Sequence, residues 1–426
     1  MSRTYFRGAT VLQSEASSRA SGDCTVVIEG SRIVAVDSST AVDPPQENDT
    51  VYDLSHSGRV LMPGLVTCHF HCAYDDVKNT NEIDMKHPAT YLALVAARNV
   101  GSALNAGFTG LVGAAVIHNI DVVMKKAIEA GVIVGPRILA SSRDLCTTGG
   151  PVDMRPEFWG PGADGVTRLC DGPDEFRKAV RQEIKAGVDI IKIHVTGGHG
   201  SFDVPAEVMV MTEEELRAAV DTAHGAGRRI RGHVASREGI LAALDAGLDV
   251  IDHADGMDSE CIERMAASGT YVAPTLYLTW TVLETMRKTE PTASTRLEVL
   301  ERSFEKSCKA VREANEAGVK LVIGDDYGAG PLAHGDYARE LAVYTQHVGI
   351  PPSDMIRWAT TNGGELLAGS KELGSIEAGQ LADLLVVNGD PSAEIEVLAD
   401  PSRLDVIMSN GKMVRCDVEP AQSFDL

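Results

Sequence analysis

The chain has 426 residues, 44% of them hydrophobic, with 39 basic against 61 acidic side chains and a net charge of −22. That length and apolar content can bury a large core, with one big domain plus a smaller one as the natural arrangement. The acidic surplus disfavours nucleic acid or an anionic membrane surface as partner and leaves a small molecule as the expected one.

The N-terminus, Met1-Ser-Arg-Thr-Tyr-Phe-Arg7, lacks an apolar signal core, and no run approaches the roughly 18 apolar residues of a membrane span, so a cytoplasmic protein is expected. The eight cysteines are scattered without a Cys-x-x-Cys pair. Free thiols are expected rather than a disulfide framework or a zinc ribbon.

Residues 8–61 read as β-structure. Val26–Glu29 and Arg32–Val36 flank a Gly30-Ser31 turn, and a polar loop over 38–50 leads to a strand near Val51–Leu54. At the far end, residues 382–388 and the Val406–Val414 hairpin, with Asn410-Gly411 at its turn, are strands again. The two ends, 1–61 and 366–426, are therefore expected to form one small β-sandwich domain from which residues 62–365 are looped out.

That middle is punctuated by Ala-Gly at 106–107, 130–131, 186–187, 226–227, 246–247 and 317–318, usually after a helical pattern and shortly before a β-prone run. Thr212 with Glu215 makes a capping box before Leu216. Candidate strands are 62–69, 108–114, 136–141, 188–193, 229–233, 249–253, 270–275 and 320–325. Eight parallel strands spread over about 300 residues suit an α/β fold of the (β/α)8 TIM-barrel type, with the site at the C-terminal ends of the strands. A doubly wound sheet is the alternative, but no Gly-x-Gly-x-x-Gly follows an early strand.

The strand ends carry the chemistry. His69 and His71 alternate onto one face of the first strand. Lys192 sits among isoleucines at 190, 191 and 193, where a bare ammonium is costly. His233 and His253 end strands five and six, and Asp325-Asp326 ends strand eight. Each has a plain reading alone: a lysine reaching a carboxylate, a hydrogen-bonded core histidine, an aspartate capping a helix. Four histidines, a buried lysine and an aspartate at the same end of their βα units point instead to convergence on one site.

With these motifs the chain resembles the amidohydrolase superfamily, in the branch of Xaa-Pro dipeptidases (prolidases) and of phenylurea and thiocarbamate hydrolases. Pro63-Gly-Leu-Val-Thr-Cys-His-Phe-His71 is similar to the family's Pro-Gly-Leu-Ile-Asp-x-His-x-His. Ile191-Lys192 ahead of Thr196-Gly-Gly198, His233, Ile251-Asp-His253 and Gly379-Gln-Leu-Ala-Asp-Leu-Leu-Val387 match further family motifs. Where the branch reads Gly-Thr-Asp, this chain has Gly324-Asp325-Asp326, which makes Asp326 the counterpart and leaves Asp325 as the rival. The paired aspartates look more like the phenylurea and thiocarbamate hydrolases than like prolidases.

The resemblance implies a binuclear site, with one divalent ion on His69, His71 and Asp326, a second on His233 and His253, and a CO2-derived carbamate on Lys192 spanning both. Zinc is the first expectation, manganese or cobalt the alternatives. It implies a metal-bound hydroxide attacking an amide, carbamate or urea, with Asp326 as general base and then acid. Alternatives within the superfamily are an Xaa-Pro dipeptidase, an N-acyl amino acid hydrolase, a lactonase and a mononuclear deaminase; the last carries a glutamate where this chain has Ser236. A non-catalytic scaffold would be expected to have lost ligands. His118, His199, Tyr277 and His334 are candidate pocket residues. The insertion 143–173, with Trp159, reads as a lid or an oligomer contact, and a homo-oligomer is expected.

Overall fold

The structure, a computed structural model, describes residues 2–12, 20–38, 42–77, 82–83, 86–153, 165–198, 204–289 and 295–421. Strands β1 (Arg3–Val11), β2 (Ala20–Glu29), β3 (Arg32–Ser38), β4 (Thr50–Asp53) and β5 (Arg59–Pro63) open the chain. Then come β6 (Leu65–Phe70), β7 (Phe108–Gly113), β8 (Arg137–Leu139), β9 (Ser141–Cys146), β10 (Thr167–Leu169), β11 (Ile190–His194), β12 (Arg229–Val234), β13 (Val250–His253), β14 (Tyr271–Ala273) and β15 (Lys320–Leu321). Strands β16 (Leu384–Asn388), β17 (Leu404–Ser409) and β18 (Lys412–Cys416) close it.

The first and last groups form one sheet in the order β18-β17-β16-β5-β1-β2-β3, with β4 on β1. Its core is apolar, built on Phe6, Val26, Ile28, Leu61, Val386 and Met408. The β2–β3 hairpin turns at Gly30-Ser31 and pairs Glu29 with Arg32. The β17–β18 hairpin turns at Asn410 (φ +53°) and Gly411 (φ +70°), the mirror-image turn that Asn-Gly favours.

The middle group is a parallel barrel. Strands β6, β7 and β8 pair in that order, and β9 through β15 continue on the other side of a break at Ala140. The third barrel strand is thus split: β8 pairs with β7, and β9 pairs with β11. The circle closes where Cys68 N–H donates to the Ile323 carbonyl at 2.7 Å. Buried on both faces, β6, β7 and β11 read as almost unbroken apolar runs, as enclosed parallel strands do. Leu366 and Leu367, on the short helix Gly363–Ala368, pack with Val66, Val112, Ile190 and Val322 into one apolar cluster.

Two devices place the strand starts. The helix Glu213–Gly225 begins with the capping box, both of its hydrogen bonds present. The helices Pro173–Ala186 and Arg237–Ala246 end on left-handed Gly187 (φ +106°) and Gly247 (φ +88°), which reverse the chain into β11 and β13. Of the insertion, β10 lies beside β9, and residues 154–164, Trp159 among them, lie outside the described residues. No disulfide joins any of the eight cysteines. Among the described residues no helix is long and apolar enough to cross a membrane.

Candidate metal centre

His69 lies at the end of β6 and His71 two residues on. Their Nε2 atoms are 3.2 Å apart, and both face Oδ1 of Asp326, at 2.9 Å from His69 and 3.0 Å from His71. Among the described residues this is the one group of three or more side chains whose ligand atoms lie within 4.8 Å of one another. Both rings are held from behind, since His69 Nδ1 is 3.1 Å from Asp252 Oδ1 and His71 Nδ1 is 3.1 Å from the Ala115 carbonyl. A carbonyl only accepts, so the His71 proton sits on Nδ1. Burial lowers the pKa of His71. With Nδ1 of His71 committed to a carbonyl, and Nδ1 of His69 nearer to the Asp252 carboxylate at 3.1 Å than to a terminal nitrogen of Arg231 at 3.3 Å, two Nε2 lone pairs and a carboxylate meet at one point, and only a proton or a cation reconciles them. Burial alone would raise the Asp326 carboxyl, but with that proton on His69 its charge, and hydrogen bonds to both imidazoles, outweigh burial and hold Asp326 well below the usual carboxylate range.

The neighbouring aspartate faces the other way. Asp325 Oδ2 accepts from Tyr277 N at 2.8 Å and Leu278 N at 3.1 Å, at the start of the helix Leu276–Thr289. Of the pair, Asp326 meets the histidines and Asp325 caps the helix. Gly324 (φ +136°) can be only glycine, because a Cβ there would come within 2.2 Å of the His69 backbone nitrogen.

Lys192, 2% exposed, places Nζ 2.6 Å from Asp252 Oδ2, so the lysine does reach a carboxylate. Asp252 already has a partner. Arg231, fully buried, donates Nε to Asp252 Oδ2 at 3.1 Å and a terminal nitrogen to Oδ1, and it also donates to the carbonyls of Cys68 (2.8 Å) and Gly113 (2.7 Å). Burial would raise the Asp252 carboxyl, yet Arg231, Lys192 and His69 together hold it well below its ordinary value.

His233 and His253 lie beside this group with ring centroids 4.2 Å apart, and His253 is 5.4 Å from His69. His233 Nε2 is 3.1 Å from the Gly197 carbonyl, and His253 Nδ1 is 2.6 Å from Thr275 Oγ1. Those contacts leave Nδ1 of His233 and Nε2 of His253 as the remaining ring nitrogens. Burial, with the neighbouring His253, pushes the His233 pKa well down, and burial takes His253 down to about 4, so both rings are neutral at pH 7.

All six proposed ligands therefore lie in one group at the barrel's C-terminal end. Of the candidate pocket residues, His118 lies exposed on a left-handed turn after β7. Tyr277 sits in an aromatic cluster with Trp280 and Tyr327. His334 packs edge-on against Phe70 at 5.3 Å, with Nδ1 3.1 Å from Tyr337 Oη. His199 lies outside the described residues. Sequence reasoning missed Arg231, Asp252, Thr275 and His194. His194 stacks on His233 at 4.5 Å, with Nε2 3.4 Å from Asp144 Oδ1. Alternation could have found two of these, since Arg231 precedes His233 by two and His194 follows Lys192 by two.

Residues 60–414 match the sequence profile of the amidohydrolase family. Ochratoxinase from Aspergillus niger is 30% identical over 407 residues, covering 90% of this chain and 81% of that protein. A crystal structure of a prolidase complexed with N-methylphosphonate-L-proline superposes with a TM-score of 0.84 at 28% identity, covering 97% of this chain and 100% of the other. Molinate hydrolase, at 21% identity and a TM-score of 0.78 over 97% of this chain and 94% of the other, shares the fold.

Proposed function

Because the chain belongs to the amidohydrolase family, and so is a hydrolase of carbon–nitrogen bonds, we propose that it cleaves an amide-type bond at a binuclear divalent-metal centre bridged by a carboxylated Lys192. One observation carries the reading: the lone pairs of His69 and His71 and the carboxylate of Asp326 converge on a single point, a donor set that a divalent cation fits. A second ion would take His233 and His253, both neutral imidazoles.

Charge supports the modified lysine. Arg231 and Lys192 both face Asp252, so two buried cations share one anion. Carboxylation, in which the free amine adds to CO2 and releases a proton, turns the surplus cation into an anion between the two histidine pairs. Asp252 keeps Arg231 as its partner.

Divalent ions held there would acidify water and polarise a scissile carbonyl. Asp326 faces the same point, and its depressed pKa leaves it ionised at neutral pH, able to take a proton from attacking water and return it to the departing nitrogen. His69 and His71, fixed through Nδ1, keep that carboxylate in place. Amides of amino acids, including Xaa-Pro dipeptides and N-acyl amino acids, are the first substrates to test, since a prolidase and ochratoxinase are among the relatives above 25% identity. Aryl amides, phenylureas, carbamates and lactones complete the panel.

The purified protein is expected to hold close to two divalent ions per chain, zinc first, and to lose activity on chelation. Lys192→Ala should lower metal content and rate together, with partial rescue by a short carboxylic acid. Full activity in metal-free protein, or a Lys192→Ala variant with two ions and a near-native rate, would refute the reading.

A further inference from the structure

Strand seven of the barrel, β14, supplies no ligand, yet the residue two positions beyond its end touches one. Thr275 is buried, and its Oγ1 lies 2.6 Å from His253 Nδ1. The backbone on both sides of this contact is strained: φ is +74° at His253, +56° at Ala254 and +52° at Thr275. The left-handed region is unusual for any residue but glycine and an outlier for a β-branched one. Each such residue carries a conformational cost and persists only where its surroundings enforce it.

The strain has a visible product. Consecutive strand residues normally face opposite ways, yet Asp252 and His253 both face the barrel interior. Asp252 reaches Lys192 and His69, and the His253 ring sits 4.2 Å from that of His233. Left-handed backbone at 253 permits this, and the hydroxyl of Thr275 meets the ring at its Nδ1 edge. A neutral imidazole has one protonated nitrogen and one lone pair, so the partner at Nδ1 decides what Nε2 can do.

We infer that Thr275 is a positioning residue: its hydroxyl oxygen accepts the Nδ1 proton of His253 and fixes the tautomer and ring orientation that leave the Nε2 lone pair free beside His233 for the second divalent ion. The two strained strand ends thus form one clamp, through which strand seven acts on the centre. The assignment rests on the binuclear reading above, but part of its test needs no metal.

Thr275→Val keeps the β-branched shape and removes the hydroxyl; Thr275→Ser restores it. In metal-free wild type with 15N-labelled histidine, His253 is expected as the Nδ1–H tautomer, as it is in Thr275→Ser; Thr275→Val should lose that preference. Titrated with Zn2+ and then Co2+, Thr275→Val should bind the first ion as wild type does and the second about 10–100-fold more weakly, the usual consequence of removing a hydrogen-bond partner from a ligand. Thr275→Ser should bind both. An Nε2–H tautomer in the wild type, or a Thr275→Val variant with unchanged tautomer and second-ion affinity, would overturn the assignment. A wild type that takes up one ion only would defeat the binuclear reading, and the tautomer measurement would then decide on Thr275 alone. Should Thr275→Val fail to fold, the wild-type tautomer still gives the answer.

Discussion

Two adjacent aspartates show how strongly surroundings set the work of one residue type. Asp326 meets His69 and His71 and is held ionised, whereas burial, with Glu340 and Asp326 nearby, pushes the Asp325 carboxyl well above its ordinary range while it caps a helix. Asp326→Asn should therefore lower kcat by about 10²–10⁴-fold, the usual worth of a placed acid–base group. Asp325→Asn keeps an oxygen for the two helix N–H groups but turns an amide N–H toward the Asp326 backbone N–H that Oδ1 now accepts from at 2.8 Å, so it should cost stability while kcat stays within about tenfold of wild type. Equal losses in steady-state kinetics would contradict this division of roles. Behind the pair, fully buried Glu340 accepts from Gly324 N–H at 2.9 Å and from Tyr327 Oη at 2.7 Å. Burial raises its pKa to about 7 from an ordinary 4.5. A raised carboxyl stabilises the fold below its unfolded pKa and loses that contribution as pH rises through the folded one. Wild type should then weaken relative to Glu340→Gln between pH 4.5 and 8, by up to about 3 kcal/mol, because each tenfold change in proton affinity is worth about 1.4 kcal/mol. Urea unfolding of both proteins at pH 5 and pH 8 measures it, and a constant difference would show that Glu340 ionises freely.

At the scale of elements, much of the barrel could be read in the chain because its cues are local. Glycine after many of the barrel helices, the Thr212 capping box and apolar runs mark where strands begin, and the ligands follow at strand ends. What stayed hidden depends on contacts between distant residues. The break at Ala140 that splits the third strand has no sequence signature, because one neighbouring strand pairs with each half. Asp252 was illegible for a sharper reason: alternation assigns it to the face opposite His253, and only the left-handed backbone at 253 brings both inward. Lys192 looked anomalous among isoleucines, but its partner Asp252 is 60 residues away on another strand. The choice between Asp325 and Asp326 likewise needed the helix that Asp325 caps.

In the whole molecule, the joint between barrel and terminal sheet runs through Asp383, the aspartate of the Gly379-Gln-Leu-Ala-Asp383 motif. Its side chain is almost fully buried, accepting from Arg137 Nε at 2.8 Å and from Asn410 N–H at 2.9 Å. Its carbonyl accepts from Gly64 N–H at 2.9 Å. Those partners belong to barrel strand β8, to the β17–β18 turn, and to the single residue between β5 and β6, so this one residue ties the sheet to β8 through its side chain and to the start of the strand that carries His69 through its carbonyl. The motif therefore holds the molecule together rather than acting on substrate. Asp383→Ala would leave Nε of the partly buried Arg137 and the Asn410 backbone N–H without an acceptor, at a cost of about 3 kcal/mol, although a terminal nitrogen of Arg137 keeps Asn410 Oδ1 at 2.8 Å. Because β5 runs into β6 across one residue, sheet and barrel should lose that stability together. Urea unfolding should give one transition at a lower midpoint when followed by tryptophan fluorescence and by far-UV circular dichroism, while protein still folded binds metal as wild type does. Separate transitions for sheet and barrel, or a loss below about 1 kcal/mol, would show that the two parts are held together elsewhere.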